Sequence, residues 1–255
     1  MRMWVKRIAA CLIASATFVA SASTAAEIKV VTVGALTVAL RSMTAEYEAA
    51  SGNTIAYTFT NPANLNMVLA GGTFDAIIVA TQTVGELEQA GKLAAGSRAR
   101  LARTGIGLAI KEGTLKPDVS SPDAFKRYLT GVRNVLVTDP STATGSGVLT
   151  VSILADAGLT ETVRTKSLQT NLAGGKERLA KGEYEVGLFN LSEIEAPGVV
   201  VGGAVPAPLQ LYTNYDAAIF ASSTIKDAAN GYLRLLASPQ AGPKWKAAWL
   251  EQVSN

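Results

Sequence analysis

The chain has 255 residues, of which 48% are hydrophobic, 6% are aromatic and 17% are charged. This is the composition of a globular protein, and it excludes a disordered or collagen-like chain. Histidine is absent and Cys11 is the single cysteine, which excludes a Cys/His metal site and leaves a serine hydrolase without its usual histidine base.

The first 26 residues have the pattern of a secretory signal peptide, with a basic start, a short apolar run and then small residues. The basic residues are Arg2, Lys6 and Arg7, and the apolar run extends from Ile8 to Val19. The run is too short to span a bilayer, so we expect cleavage near Ala22 or Ala26 and export to the periplasm. The alternatives are an uncleaved anchor and a lipoprotein site at Cys11, which almost no apolar sequence precedes.

Removal of residues 1–26 changes what the charges and the cysteine imply. The whole chain has 23 basic and 20 acidic residues, and the three basic residues of the leader account for the excess. The exported protein would therefore have no net positive charge to attract nucleic acid, and no disulfide. No second apolar run is long enough to cross a membrane, so we expect no stable membrane insertion. We expect a monomer that depends on its packed core.

The rest of the chain alternates between short apolar strands and amphipathic helices. Periodicity predicts, in order, a strand over residues 27–33, a helix over 36–51, a strand over 54–59, a helix over 65–70, a strand over 74–80, a helix over 82–90 and a strand over 105–110. There follow a helix over 123–131, a strand over 134–138, helices over 147–157 and 172–181, strands over 184–189 and 209–220, and helices over 226–237 and 243–253. This alternation predicts a doubly wound α/β fold.

Two segments have the character of crossovers between lobes, one near Arg103–Gly105 and one over Gly202–Pro208. They favour two lobes over a single open sheet, with residues 27–104 plus 207–255 in the first lobe and residues 105–206 in the second. Ligands of such sheets bind beyond the carboxyl ends of the strands. A cleft between the two lobes is therefore the expected ligand site.

Four predicted strand-to-helix junctions share small or neutral polar side chains. They are Gly34–Thr37, Thr60–Asn64, Ser141–Gly147 and Thr170–Ala173. The first turn of a helix has unpaired N–H groups and a partial positive charge, so it suits an anion without Lys or Arg. Each junction alone is more typical of an ordinary cap or turn. The four together predict an anion site.

Other kinds of site lack essential residues. A P-loop would need Lys after Gly147, and the Gly145–Gly147 segment lacks the third glycine of a dinucleotide fingerprint. We therefore expect no cofactor and no metal. Without His, acid–base chemistry would fall to Asp, Glu, Lys or Tyr, but the pairs Glu183/Glu185 and Glu193/Glu195 are expected on solvated surface.

Two side chains at the predicted crossovers are harder to assign. Arg103 could bind a ligand carboxylate with its planar fork, or it could form a salt bridge between the lobes. Tyr212 could reach the cleft, or it could be a half-buried strand residue. Trp245 and Trp249 lie four residues apart on the last predicted helix, a spacing that favours core packing for both.

From about Glu27 to its C-terminus the chain resembles the periplasmic molybdate-binding family of ABC-transporter substrate-binding proteins. The resemblance rests on the segments VTVGALTVAL, GGTFDAIIVA, LARTGIGLAI, TDPSTATGSG, KGEYEVGLFNLSEI and PAPLQLYT. It implies a two-lobed type II periplasmic-binding fold that closes at a hinge cleft on a small anion. It also implies binding through hydroxyls and backbone amides, and an ABC-transporter permease as partner.

The resemblance carries the ligand-binding positions of the family onto this sequence. They fall on Ala35, Leu36, Asn61, Asn64, Ser141, Thr142, Ala143, Leu172 and Asn190. Ala35 stands where molybdate binders have a ligand serine, and Asn190 stands where they have a ligand tyrosine. A site for a buried dianion loses affinity when donors are missing. These departures point to another small anion, either an oxyanion or an organic acid.

Similar periplasmic sequences include an enzyme, aconitate isomerase, which moves a double bond in a tricarboxylate by proton transfer. If this chain were such an enzyme, Arg103 would be the candidate carboxylate clamp. Asp139, Tyr212 and Asp216 would be the candidate proton carriers. We therefore expect a solute-binding protein first and an isomerase second. A structural or adaptor domain is the third hypothesis.

Overall fold

The computed structural model describes residues 25–140 and 145–253. The predicted signal peptide, up to residue 24, lies outside the described residues, as do Ser141, Thr142 and Ala143 of the predicted site. Within the described ranges, no helix is both long and apolar enough to cross a membrane.

Strands and helices alternate along the described chain. The N-terminal part contains β1 (Glu27–Val33), α1 (Thr37–Ser51), β2 (Thr54–Thr60), α2 (Leu65–Gly71), β3 (Ala76–Ala80), α3 (Thr81–Gln89) and the long strand β4 (Ala99–Lys111). The middle contains α4 (Pro122–Gly131), β5 (Val135–Thr138), α5 (Gly145–Asp156), α6 (Thr160–Arg164), β6 (Ser167–Thr170), α7 (Leu172–Lys181), β7 (Val186–Asn190), α8 (Leu191–Ile194) and β8 (Val199–Ala204). The last part contains β9 (Tyr212–Ile219), α9 (Lys226–Ala237), α10 (Gly242–Ala247) and β10 (Glu251–Gln252).

The strands follow the order β2-β1-β3-β9-β4-β7-β5-β6, and β8 and β10 also pair with β4. The long strand β4 divides this array into two halves. Its first part, Ala99–Gly105, pairs antiparallel with β9, whereas its second part, from Ile106, pairs antiparallel with β7 and β8. The chain crosses between the halves along β4 and returns after β8. The result is the two-lobed α/β architecture that the sequence predicts.

Each half has a parallel centre covered by helices. In the first half β1 runs parallel to β2 and β3, and in the second half β5 runs parallel to β6 and β7. Alternate residues of β5 enter different core clusters, Val135 and Val137 on one face and Leu136 on the other. This alternation follows from the two-residue period of a strand, and it explains why such strands have continuous apolar sequences.

The core of the first half packs β1, β3 and β9 against α1, α9 and α10. Its largest fully buried side chains include Trp245 and Tyr232. The indole Nε1 of Trp245 donates a hydrogen bond to Leu236 O at 3.0 Å, so the one polar atom of this side chain is satisfied in the core.

The end of the chain differs from the prediction of one helix over residues 243–253. Helix α10 ends at Ala247, and Trp249 has a φ of +59°, which no α-helix allows. Glu251 and Gln252 then form a short strand against Arg103 and Ala102 of β4. Trp245 is buried as predicted, but Trp249 is 41% exposed, because the left-handed turn takes it off the helix face.

Candidate functional site

A cleft of about 1120 Å³ lies where the two halves meet. Its described lining comes from the carboxyl ends of β1, β2, β3, β5 and β7, from Asn171 directly after the end of β6, from the helix starts that follow these strands, and from the start of β9. The start of β9 reaches the same edge because it is antiparallel to β3, with Tyr215 opposite Ala80. Six strand ends therefore converge on one space, which is the general location of ligand sites in α/β proteins.

The junction after β1 is a short 3₁₀ turn, Gly34–Leu36, that leads into α1. Gly34 and Ala35 line the cleft. The Leu36 side chain is fully buried in the core of the first half, so only the backbone of this predicted ligand position is available. The turn has no side-chain cap, which leaves its first N–H groups without a side-chain acceptor.

The junctions after β2 and β6 are capped by asparagine. Asn61 Oδ1 accepts a hydrogen bond from Asn64 N at 3.0 Å, and Asn171 Oδ1 accepts one from Gly174 N at 2.8 Å. Both asparagines, and the predicted Asn64 and Leu172, line the cleft. The cap bond occupies one first-turn donor at each junction, so fewer donors remain there for a ligand.

The junction after β3 was not among the four found in the sequence. Strand β3 passes directly into α3 without a glycine or a turn, and Thr81, Gln82 and Thr83 line the cleft. Thr81 Oγ1 donates to Asp216 Oδ1 at 2.8 Å. A short polar stretch after an apolar strand was the signal in the sequence that could have identified this junction.

Asp216, a predicted proton carrier, is bound to an arginine. It is 2% exposed, and its Oδ2 accepts from Arg98 Nε and lies 2.7 Å from Arg98 Nη2. The hydrogen bond to this carboxylate raises the pKa of the Arg98 guanidinium. Asp216 does not line the cleft. The structure therefore places it in a buried ion pair beside the wall of the cleft.

The junction after β5 is described on either side of residues 141–144. Thr138, Gly145 and Ser146 line the cleft, and Ser146 Oγ donates to Thr138 Oγ1 at 3.2 Å. A Cβ atom on Gly145 would lie 2.8 Å from Thr213 Oγ1 of β9. A side chain at position 145 would therefore require Thr213 to shift where the start of α5 meets the first half.

The junction after β7 places a buried asparagine at the cleft. Asn190 is 5% exposed, and its Nδ2 donates to Glu193 Oε2 at 2.7 Å. Its Oδ1 is buried without a hydrogen-bond partner among the described residues. A buried amide oxygen of this kind is costly unless something donates to it, so Asn190 Oδ1 is an acceptor that none of the described residues uses.

Glu193 does not lie on the solvated surface, where the sequence placed it. It lines the cleft because the short helix α8 turns back over β4 after Asn190. Burial raises the pKa of Glu193, while the Asn190 donor and the charge of Lys176 act in the opposite direction. Lys176 Nζ donates to the backbone O of Glu193 at 3.0 Å, and burial lowers the pKa of Lys176.

The start of β9 supplies Tyr212, Thr213, Asn214 and Tyr215 to the lining. Burial raises the pKa of the Tyr212 phenol, with a further contribution from the charge of Glu251. Burial also raises the pKa of the Tyr215 phenol, and the charge of Glu193 adds to the effect. Both phenols are therefore neutral hydrogen-bonding groups at physiological pH.

Arg103 does not line the cleft. Its guanidinium stacks 4.0 Å from the centre of the Tyr212 ring, and its Nε and Nη2 bind Glu251 Oε2 at 2.9 and 2.7 Å. The fork thus holds a carboxylate of the chain itself, on β10 of the same half. Asp139 also lies outside the lining, and its backbone N–H donates to Thr170 O at 3.3 Å.

The described lining has little formal charge. Its charged side chains are Glu86 and Glu193, and it includes neither Lys nor Arg. The described residues also contain no group of three or more acidic, His or Cys side chains close enough to hold a metal ion. Neutral N–H and hydroxyl groups are consequently the donors that this part of the cleft can offer to a ligand.

A family model described as bacterial extracellular solute-binding protein matches residues 28–249. The chain belongs to this family. It is also 30% identical to an aconitate isomerase from a Pseudomonas species over 181 residues, which are 70% of this chain and 68% of that enzyme.

Solved structures of periplasmic binding proteins have the same fold. A protein described as the substrate-binding domain of a molybdenum ABC transporter from Clostridium difficile superposes with a TM-score of 0.75 at 16% identity, covering 90% of this chain and 100% of that one. The periplasmic molybdate-binding protein of Azotobacter vinelandii gives a TM-score of 0.69 at 20% identity, covering 89% and 99%. A sulfate-binding protein from Mycobacterium tuberculosis gives 0.67 at 18% identity, covering 89% and 87%. The fold is the predicted two-lobed periplasmic-binding fold.

Proposed function

We propose that this protein captures a small anion, either an oxyanion or an organic acid, in the cleft and delivers it to an ABC-transporter permease. The observation that carries the proposal is the convergence of six strand ends on a cleft whose described lining has neutral donors and no Lys or Arg. Anions are held well by helix starts and hydroxyls alone. The molybdate-binding and sulfate-binding proteins that share the fold add support.

The proposed mechanism is closure of the two lobes on the ligand. The lobes are residues 27–104 plus 207–255 and residues 105–206, with β4 and the return segment after β8 as the hinge. An anion that first binds the helix starts of one lobe stabilises the closed form by accepting donors from the other. The exported protein would act in the periplasm as a monomer, after cleavage of the leader.

The ligand-binding residues of this proposal come from both lobes. They are Ala35, Leu36, Asn61 and Asn64 from the first and Ser141, Thr142, Ala143, Leu172 and Asn190 from the second. Ala35 and Asn190 replace hydroxyl donors of the molybdate binders, so molybdate is not the preferred ligand of this cleft. An organic acid can use the buried Asn190 side chain through a hydroxyl or a protonated carboxyl group.

Thermal unfolding in the presence of molybdate, tungstate, sulfate, citrate and the aconitates tests this proposal. A ligand at about 100 times its Kd stabilises the folded state by about 2.7 kcal/mol, which raises the Tm of a protein of this size by about 5–10 °C. We expect such a shift with an organic acid and a smaller one with molybdate. If none of these anions raises the Tm, the proposal is wrong.

The second candidate function is that of an aconitate isomerase, favoured by the 30% identical relative. This reaction removes a proton from one carbon of a tricarboxylate and returns a proton to another, so it needs a base and carboxylate-binding groups in the cleft. Tyr212 lines the cleft. Asp216 forms a salt bridge with Arg98, and Arg103 forms a salt bridge with Glu251. The absorbance change from trans- to cis-aconitate measures the activity directly. Tight binding without turnover would exclude the enzyme.

A further inference from the structure

Glu193 is a carboxylic acid in a cleft that we propose to bind anions. It belongs to the second half of the molecule, but its carboxyl group lies beside the Gly34–Leu36 turn of the first half. A methyl group on Gly34 would be 3.5 Å from Glu193 Oε1. The carboxyl group therefore lies where the two halves meet, within the lining that any enclosed ligand would face.

The groups around the Glu193 carboxyl do not neutralise it with a direct ion pair. Asn190 Nδ2 donates to Oε2 at 2.7 Å. The nearby cation, Lys176 of α7, donates to the backbone carbonyl of Glu193 at 3.0 Å, and within the described part of the chain it forms no salt bridge with the Glu193 carboxylate. On β9 the facing titratable group is Tyr215. On β4, Thr104 Oγ1 accepts from Ser192 N at 3.3 Å, and Arg103 is bound to Glu251.

An anion in this cleft would meet an ionised carboxylate with no Lys or Arg in the described lining to offset the repulsion. One proton removes the conflict, because a neutral carboxyl group donates a hydrogen bond where a carboxylate only accepts. The same proton can lie on the ligand instead, as in an acid with an O–H group that donates to the Glu193 carboxylate. In both cases one proton lies between the Glu193 carboxyl group and the bound ligand.

We propose that Glu193 is the proton-binding residue of the cleft and that a bound anion is held together with one proton shared with its carboxyl group. This inference rests on the proposed function. The buried and unpartnered Asn190 Oδ1 beside Glu193 supports it, since a site with an unused acceptor suits a ligand or side chain that carries a proton. The raised pKa of Glu193 due to burial agrees with it.

The proposal predicts how affinity depends on pH. For sulfate or molybdate, which do not take up protons near neutral pH, binding should weaken by about tenfold per pH unit above the pKa of Glu193, the slope expected for one linked proton. Glu193→Gln keeps the size of the side chain and cannot ionise. Its affinity should be independent of pH, and one pH unit above the pKa of Glu193 it should exceed that of the natural protein by about tenfold.

Isothermal titration calorimetry with molybdate, sulfate and trans-aconitate, in buffers of different ionisation enthalpy, counts the protons taken up. At a pH well above the pKa of Glu193, we expect the natural protein to take up close to one proton per molybdate or sulfate, and Glu193→Gln to take up none. Glu195→Gln is the matched control, because Glu195 is exposed two residues further along, and it should behave as the natural protein does. Equal proton uptake in Glu193→Gln and the natural protein, or none in either, would overturn the proposal.

A second measurement does not depend on any ligand. Carboxyl ¹³C NMR of glutamate-labelled protein, compared with Glu193→Gln to assign the signal, gives the titration of Glu193 directly. A pKa above the ordinary value of 4.5 supports the proposal, and a value at or below 4.5 overturns it. If molybdate, sulfate and trans-aconitate all fail to bind, the proposed capture of an anion is wrong. The NMR titration then still shows whether the pKa of Glu193 is raised.

Discussion

Replacement of Arg98 by methionine should destabilise the protein substantially, because it leaves the Asp216 carboxylate buried without its cation. Asp216 is 2% exposed and lies 2.7 Å from the Arg98 guanidinium. Loss of one partner of a fully buried pair costs about 3–5 kcal/mol. Here the Arg98 side chain is 32% exposed and Thr81 still donates to Asp216, so we expect about 2–3 kcal/mol.

Urea unfolding and the Tm measure this loss. In a chain of this length, about 2–3 kcal/mol corresponds to a fall in Tm of roughly 4–12 °C. The matched control is Glu88→Gln, which removes only the exposed contact of Arg98 Nη1 at 3.1 Å and should cost less than about 1 kcal/mol. An Arg98→Met protein as stable as the natural one would refute the reasoning. Asp216→Asn with unchanged stability and abolished aconitate turnover would return Asp216 to the role of proton carrier.

Four further substitutions test the core packing, a helix cap and the titration of Glu193. Trp245→Ala should cost about 3–5 kcal/mol in urea unfolding, because the side chain is fully buried, whereas Trp249→Ala, at an exposed position, should cost less than about 1 kcal/mol. Asn171→Ala removes the cap bond to Gly174 N and should cost about 1 kcal/mol, seen as a lower Tm. The pKa of Glu193 is raised in the native state, so protonated Glu193 contributes its full stabilisation of the fold below pH 4.5. This contribution is lost as the pH rises through the native pKa. In urea unfolding, Glu193→Gln should therefore gain stability relative to the natural protein as the pH rises from 4.5 to the native pKa of Glu193. A stability difference that does not change with pH would contradict the raised pKa.

Secondary structure was predictable where its signals are local. Helix α7 has the predicted bounds, because an asparagine cap precedes it and Gly182, with a φ of +76°, ends it. Strand β6 was missed because SLQT has no apolar alternation and lies at the edge of the sheet. Strand β4 is longer than predicted, since its first part is paired by β9, more than a hundred residues later in the chain.

Part of the cleft lining was predictable for the same reason, namely local sequence signals. The helix starts after β1 and β2 and the side chains of Asn61 and Asn190 have a recognisable local sequence, and the structure places them along the cleft. The start of α3 had no glycine to mark it. Glu193 resembled a surface acid because nothing within a few residues shows that α8 folds back against the first half.

The sequence by itself determined the α/β class, most of the helix starts and the resemblance to periplasmic binding proteins. These follow from periodicity, capping and short motifs, which act over a few residues. Only the tertiary structure decided which charged groups face the cleft. Arg98 meets Asp216 across 118 positions and Arg103 meets Glu251 across 148, so both arginines are engaged by carboxylates of the chain. The same long-range packing brings Glu193 into the cleft, because charge pairing and burial depend on distance in space and not on distance along the chain.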